Sequence, residues 1–169
     1  SSTGQYESIS DNSGKLSTKG IELIVKYNAV EKVDLEFSTV WQETKDKQNP
    51  QISVGESPEW LAKMKASYVR NNIIYSVFAN YTDSMNSDFV FVESTTPGLY
   101  TRLGDEVDDS ISVGINIRYS QPSTGFYAQI HVENLFNDDI YTPANELVTM
   151  EKGLLSQERQ IMLTIGLEY

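Results

Sequence analysis

The period of the apolar residues constrains this chain more than any other feature of its sequence. The closing stretch RQIMLTIGLEY (159–169) places Ile161, Leu163, Ile165, Leu167 and Tyr169 on alternate positions, with Gln160, Met162, Thr164, Gly166 and Glu168 between them. A repeat of two is the signature of a β-strand whose two faces meet different surroundings. The same pattern predicts strands at 21–27, 33–41, 60–68, 73–81, 111–119 and 126–132, and more weakly around Gln5–Ser10. With the last strand this makes about eight strands, and no stretch carries a convincing helical period.

The connections alternate as regularly as the residues. NAVEK (28–32), RNN (70–72) and QPSTG (121–125) are short, and the last two are rich in turn formers. Long polar stretches separate these hairpins, at roughly 44–59, 83–110 and 135–157. Strands joined short, long, short, long predict an all-β fold, an antiparallel up-and-down meander with every long loop at one end. Tight turns on one side and long loops on the other are the plan of a transmembrane β-barrel.

Aromatic residues fall at the ends of the apolar faces. Tyr27, Tyr68, Tyr119 and Tyr169 lie beside a short turn or the C-terminus, and Trp41, Trp60 and Tyr81 lie near the long loops. Two aromatic girdles around an apolar band are what two lipid–water interfaces select. A soluble barrel or sandwich would show the same alternation, with its apolar faces turned to a shared core, but would give the girdles no special reason to exist. The intervening positions carry Glu22, Lys26, Asp34, Glu36, Lys63, Lys65, Arg118, His131, Glu133 and Glu168, which suit either water or a polar barrel lumen.

Composition removes other classes. The chain has 169 residues, no cysteine, one histidine and a formal charge of −11. Disulfides, thiolate metal sites and histidine clusters are thereby excluded. So large an acidic excess argues against nucleic acid and against a basic helix lying on anionic lipid. No apolar run approaches the length of a membrane helix, which leaves barrels untouched because they hide their apolar residues at every second position. No nucleophile motif accompanies His131 and Glu133, so no enzymatic activity and no cofactor are expected. The acidic run Asp105, Glu106, Asp108 and Asp109 lacks the spacing of an EF-hand loop and reads as a solvated loop. Asn80-Tyr81-Thr82 matches a glycosylation sequon but falls inside a predicted strand.

Several stretches resemble a known family, the TonB-dependent outer-membrane receptors. KGIELIVKYN (19–28), with its short turn and a strand ending WQETKD, is similar to that family's hairpins. VENLFNDDIYTPANE (132–146) resembles the penultimate-strand motif, in which Asn134-Leu135-Phe136-Asn137 precedes a tyrosine, here Tyr141. A last strand ending on an aromatic completes the likeness, which runs over most of the chain from residue 19. The chain departs from the family's pattern in having Gln157-Glu158-Arg159 where Pro-Gly-Arg is common, and in having Thr164 where a glycine is expected, with glycine at 166.

The resemblance implies a bacterial outer-membrane location and uptake of a scarce nutrient such as a ferric siderophore, driven through TonB. It implies that Ile161, Leu163, Ile165, Leu167 and Tyr169 are the signal read by the barrel assembly machinery. Ligand contacts would come from the long loops, with Tyr100, Arg102 and Tyr141 as candidates. Family barrels close ~22 strands around a plug, so residues 1–169 would be a C-terminal segment, with the plug and earlier strands upstream. A complete eight-stranded barrel, or a soluble one, binding a small ligand or partner is the alternative.

Overall fold

A computed structural model describes residues 16–30, 32–47, 57–86, 91–93, 100–102, 106–143, 153–156 and 158–168. The chain runs β1 (Leu16–Val30), β2 (Val33–Asp46), β3 (Trp60–Arg70) and β4 (Ile73–Thr82). Four short strands follow, β5 (Met85–Asn86), β6 (Phe91–Glu93), β7 (Tyr100–Arg102) and β8 (Glu106–Val107). Then come β9 (Ser110–Gln121), β10 (Phe126–Glu133), the short β11 (Tyr141–Thr142) and β12 (Leu154–Leu155), and β13 (Gln160–Leu167). Among the described residues there is no helix.

The seven long strands form one sheet in the order β1-β2-β3-β4-β9-β10-β13, and each pairs antiparallel with its neighbour. The meander read from the alternation is therefore the observed fold, and each of its seven described strands lies where the period placed it. The weak strand near Gln5–Ser10 lies outside the described residues. Within them, β1 and β13 each have one neighbour. Three two-stranded ribbons, β5–β8, β6–β7 and β11–β12, are built in the long connections.

Register turns the period into two continuous surfaces. One row crosses all seven strands through Tyr27, Leu35, Ala66, Val77, Ile115, Val132 and Ile161. The next row, one residue along, is Asn28, Asp34, Ser67, Ser76, Asn116, His131 and Met162, and its side chains point to the other face. Along the long strands the larger apolar set falls on one side, with exceptions such as Ile24, Val40, Leu61, Ile74 and Phe78 on the other, so a register slip of one residue on any strand would break the pattern.

The described residues build little of the hydrophobic core that a soluble domain needs. Among the described residues only Val107 and Val132 are buried apolar side chains. The apolar face is instead exposed: Ile21 is 71% accessible, Leu163 68% and Ile165 64%. Ordinary soluble domains keep such residues inside and expose them singly.

Turn chemistry shapes the short ends. Asn71 takes φ of 53° in the β3–β4 turn, a conformation asparagine tolerates better than most residues. Thr124 N donates to Gln121 O at 3.2 Å inside the β9–β10 turn, and Glu168 N donates to Gly125 O at 2.8 Å, tying the end of the last strand to that turn.

Candidate functional site

The apolar face has sharp limits at both ends. At the long-loop end, Trp41 of β2 stands directly opposite Trp60 of β3, and Tyr81 of β4 lies opposite Ile111 of β9. One step further on the same face, chemistry changes abruptly. Lys19, opposite Glu43, binds its carboxylate at 2.8 Å, and Lys45 binds the same side chain at 2.7 Å. The Lys19 ammonium also lies 5.9 Å from the centre of the Trp41 ring. The two lysines, chiefly through their hydrogen bonds and Lys19 first, hold the Glu43 carboxyl below its ordinary pKa.

The short-turn end is ringed by tyrosines. Tyr68 and Tyr75 are cross-strand partners with ring centres 6.5 Å apart and nearly parallel planes. Tyr119 and Phe126 approach to the same distance at a tilt, and Tyr119 Oη donates to Gln121 Oε1 at 2.6 Å. Amphipathic rings with a polar tip suit a boundary between apolar and wet surroundings. Tyr75, inside the strand read at 73–81, belongs to this ring as well. Its pairing with Tyr68 depends on register, which no single strand reveals. Tyr169 lies outside the described residues.

The polar face is built from cross-strand pairs. Lys26 and Glu36 form an ion pair at 3.8 Å, and Ser67 and Ser76 share a hydrogen bond of 2.9 Å. The Phe78 and His131 rings stack at 5.4 Å and 10°, although their strands flank β9 and do not touch. Gly114 explains the contact: a Cβ there would come within 2.1 Å of Phe78 and 2.7 Å of Val132 O. Without a side chain on β9, the Phe78 ring crosses the gap. Nearby, Asn116 Oδ1 is buried with no hydrogen-bond partner.

Glycine 166, which departs from the family's pattern, has a local reason. It is the cross-strand partner of Tyr127, and a Cβ would approach that ring at 2.6 Å. Tyr127 in turn carries the Arg118 guanidinium 4.2 Å from its ring centre, and Arg118 pairs with Glu168. Together these residues fasten the end of β13 to β9 across β10.

The Asn134–Asn137 turn has the most specific geometry. Asn134 and Asn137 take φ of 47° and 60°, and Asn134 is 3% exposed. Asn134 Nδ2 donates to Asp138 O at 2.8 Å, and its Oδ1 accepts from Asp138 N at 3.0 Å. Leu135 N donates to Val113 O of β9 at 2.8 Å, and Asn137 Oδ1 accepts from Arg159 N at 3.1 Å. The motif therefore grips β9 behind it and the residue before β13 ahead of it.

The sequence-derived site residues divide. Ile161, Leu163, Ile165 and Leu167 all lie exposed on the apolar face of the edge strand β13. Tyr141 belongs to the ribbon β11–β12, opposite Leu155, whereas Tyr100 and Arg102 belong to β6–β7, opposite Glu93 and Phe91. The three candidates thus sit on two separate ribbons; the side chains of Tyr100 and Arg102 lie outside what is described. Of the acidic run, Asp105 is outside as well. His131 Nε2 meets Glu133 Oε1 at 3.2 Å on the polar face. Among the described residues no group of three or more histidine or acidic side chains is disposed to hold a metal ion.

No family model matches the chain, and no curated protein matches it.

Proposed function

We propose that this chain spans a bacterial outer membrane as the C-terminal portion of a TonB-dependent uptake receptor. The observation that supports the membrane reading is one continuous apolar face across seven strands, exposed to the surroundings and bracketed by aromatic residues. A surface of this kind needs an apolar solvent. The bilayer would cover it, and the polar face would line a lumen. Sequence motifs rather than geometry support the receptor reading: the Asn134–Asn137 turn with Tyr141, and the terminal strand. On this reading, TonB acts through parts of the protein outside this sequence. The barrel assembly machinery reads the exposed positions of β13, and the cargo is a ferric siderophore or another scarce nutrient met by the loops.

Single cysteines at Val113, Ile115, Leu163 and Ile165, labelled with a fluorophore, should be quenched by brominated lipid and shielded from aqueous iodide. Labels at Ser112 and Met162 should show the reverse. Apolar-face labels that pack together in a water-soluble monomer would instead support a soluble barrel. The parent reading frame separates receptor from small barrel, since a receptor requires a plug and ~14 further strands upstream.

A further inference from the structure

We propose that the apolar face carries a seat for one phospholipid, its acyl chain in a groove between β3, β4 and β9 and its phosphate at the β3–β4 turn. The proposal rests on the membrane reading above and adds a specific site to it.

The groove has a simple origin. In the row Leu35, Ala66, Val77 and Ile115, Ala66 presents only a methyl between two larger neighbours. The resulting depression has Val77, Ile115 and Ile117 along its length, is walled by the stacked Tyr68 and Tyr75 rings, and encloses about 350 Å³. No charged side chain lines it, so an occupant must be apolar along its length.

Charge placement identifies the head of that occupant. Arg70 follows Tyr68 by two residues and so shares the apolar face, beyond the tyrosines at the turn end, and it is exposed. Arg70 forms no ion pair among the described residues. The opposite end of the same face differs, because Lys19 and Lys45 are already engaged by Glu43. In a chain carrying −11 overall, an arginine with no ion pair among the described residues, at the mouth of an apolar groove, complements an anionic head with an apolar tail. A phospholipid of the turn-side leaflet has that form.

The test is electron paramagnetic resonance of the chain in phosphatidylcholine nanodiscs doped with spin-labelled phosphatidylglycerol. The wild-type chain should show a motionally restricted lipid population. Arg70→Gln should weaken it roughly fivefold, the effect expected of one surface cation on an anionic lipid. Ala66→Phe, which fills the groove, should abolish the restriction, and Leu163→Phe, outside the groove, should leave it unchanged. A restricted population indifferent to both Arg70→Gln and Ala66→Phe would refute the seat. So would a chain that shows brominated-lipid quenching at Leu163 but no restricted lipid, and that outcome leaves the membrane reading intact. A chain that does not insert, judged by absent quenching, overturns both.

Discussion

Two neighbouring rows of the sheet differ by one residue per strand and by almost everything else. The row Tyr27–Ile161 is apolar throughout, and the row Asn28–Met162 is polar until its last member. The polar face bonds locally, through pairs such as Ser67–Ser76 and His131–Glu133, although Asn116 Oδ1 is left unpaired. Among the described residues the apolar row finds no comparable partner and leaves most of its side chains exposed. One surface bonds to its own neighbours, whereas the other stays open among the described residues.

The comparison breaks most directly at β13, where Leu163 and Met162 are adjacent and similarly exposed, at 68% and 57%. Water would treat the two alike. A bilayer would not, because Leu163 lies on the apolar face and Met162 on the polar one. In lipid, Leu163→Lys should cost about 2–4 kcal/mol, and Met162→Lys less than about 0.5 kcal/mol. Reversible unfolding in vesicles measures both, and equal costs would remove the distinction between the faces.

A smaller effect tests how the polar face accommodates a large ring. Gly114→Ala puts a methyl where Phe78 and Val132 O already stand, and should destabilise by about 1–3 kcal/mol as overpacking. In the Phe78→Leu background the cost should shrink without vanishing, since the Val132 carbonyl remains. Additivity of the two substitutions in denaturant unfolding would mean that the ring does not need the glycine.

Legibility in the sequence followed the same division between faces. Where outward positions are apolar, the period located strands almost to the residue, as at 73–81 against Ile73–Thr82. Where they turn charged, the period stops although pairing continues. Leu16–Gly20 and Gln42–Asp46 extend the first hairpin beyond 21–27 and 33–41 because Lys19, Glu43 and Lys45 replace apolar residues on the outer side. The ribbons in the loops are two or three residues long, too short for any period to register. Gly114 lies inside the strand read at 111–119, where the period assigns it no role. Its purpose belongs to Phe78 and His131, brought beside it by register rather than by sequence proximity. The asparagine motif was recognisable by its letters, but its grip on Val113 and Arg159 was not.

That grip yields a third expectation. Asn134→Ala removes both side-chain bonds to Asp138 at a buried position and should cost about 1–3 kcal/mol. Asn137→Ala loses the bond to Arg159 N and should cost about 1 kcal/mol. Hydrogen exchange separates their reach: Asn137→Ala should speed exchange at Arg159 and at the start of β13 while sparing β3 and β4. Uniform acceleration across the sheet would show that the turn supports the whole fold and not the last strand in particular.

The smallest effect marks where the apolar surface ends. Glu43 lies one step beyond the Trp41 level and is held ionised by Lys19 and Lys45. Its folded pKa is depressed, so its contribution to stability is complete above the ordinary carboxylate range and is lost as pH falls through the lowered value. Above about pH 5 the collar should therefore not respond to pH at all. A side-chain carboxyl titration followed by NMR should place the Glu43 midpoint below that of an unpaired glutamate, and Lys19→Gln should move it back up. These are the outcomes for a carboxylate in water beside two ammonium groups. A midpoint above the ordinary value would mean that Glu43 is desolvated, and the apolar surroundings would then extend past Trp41 and Trp60, erasing the boundary those rings define.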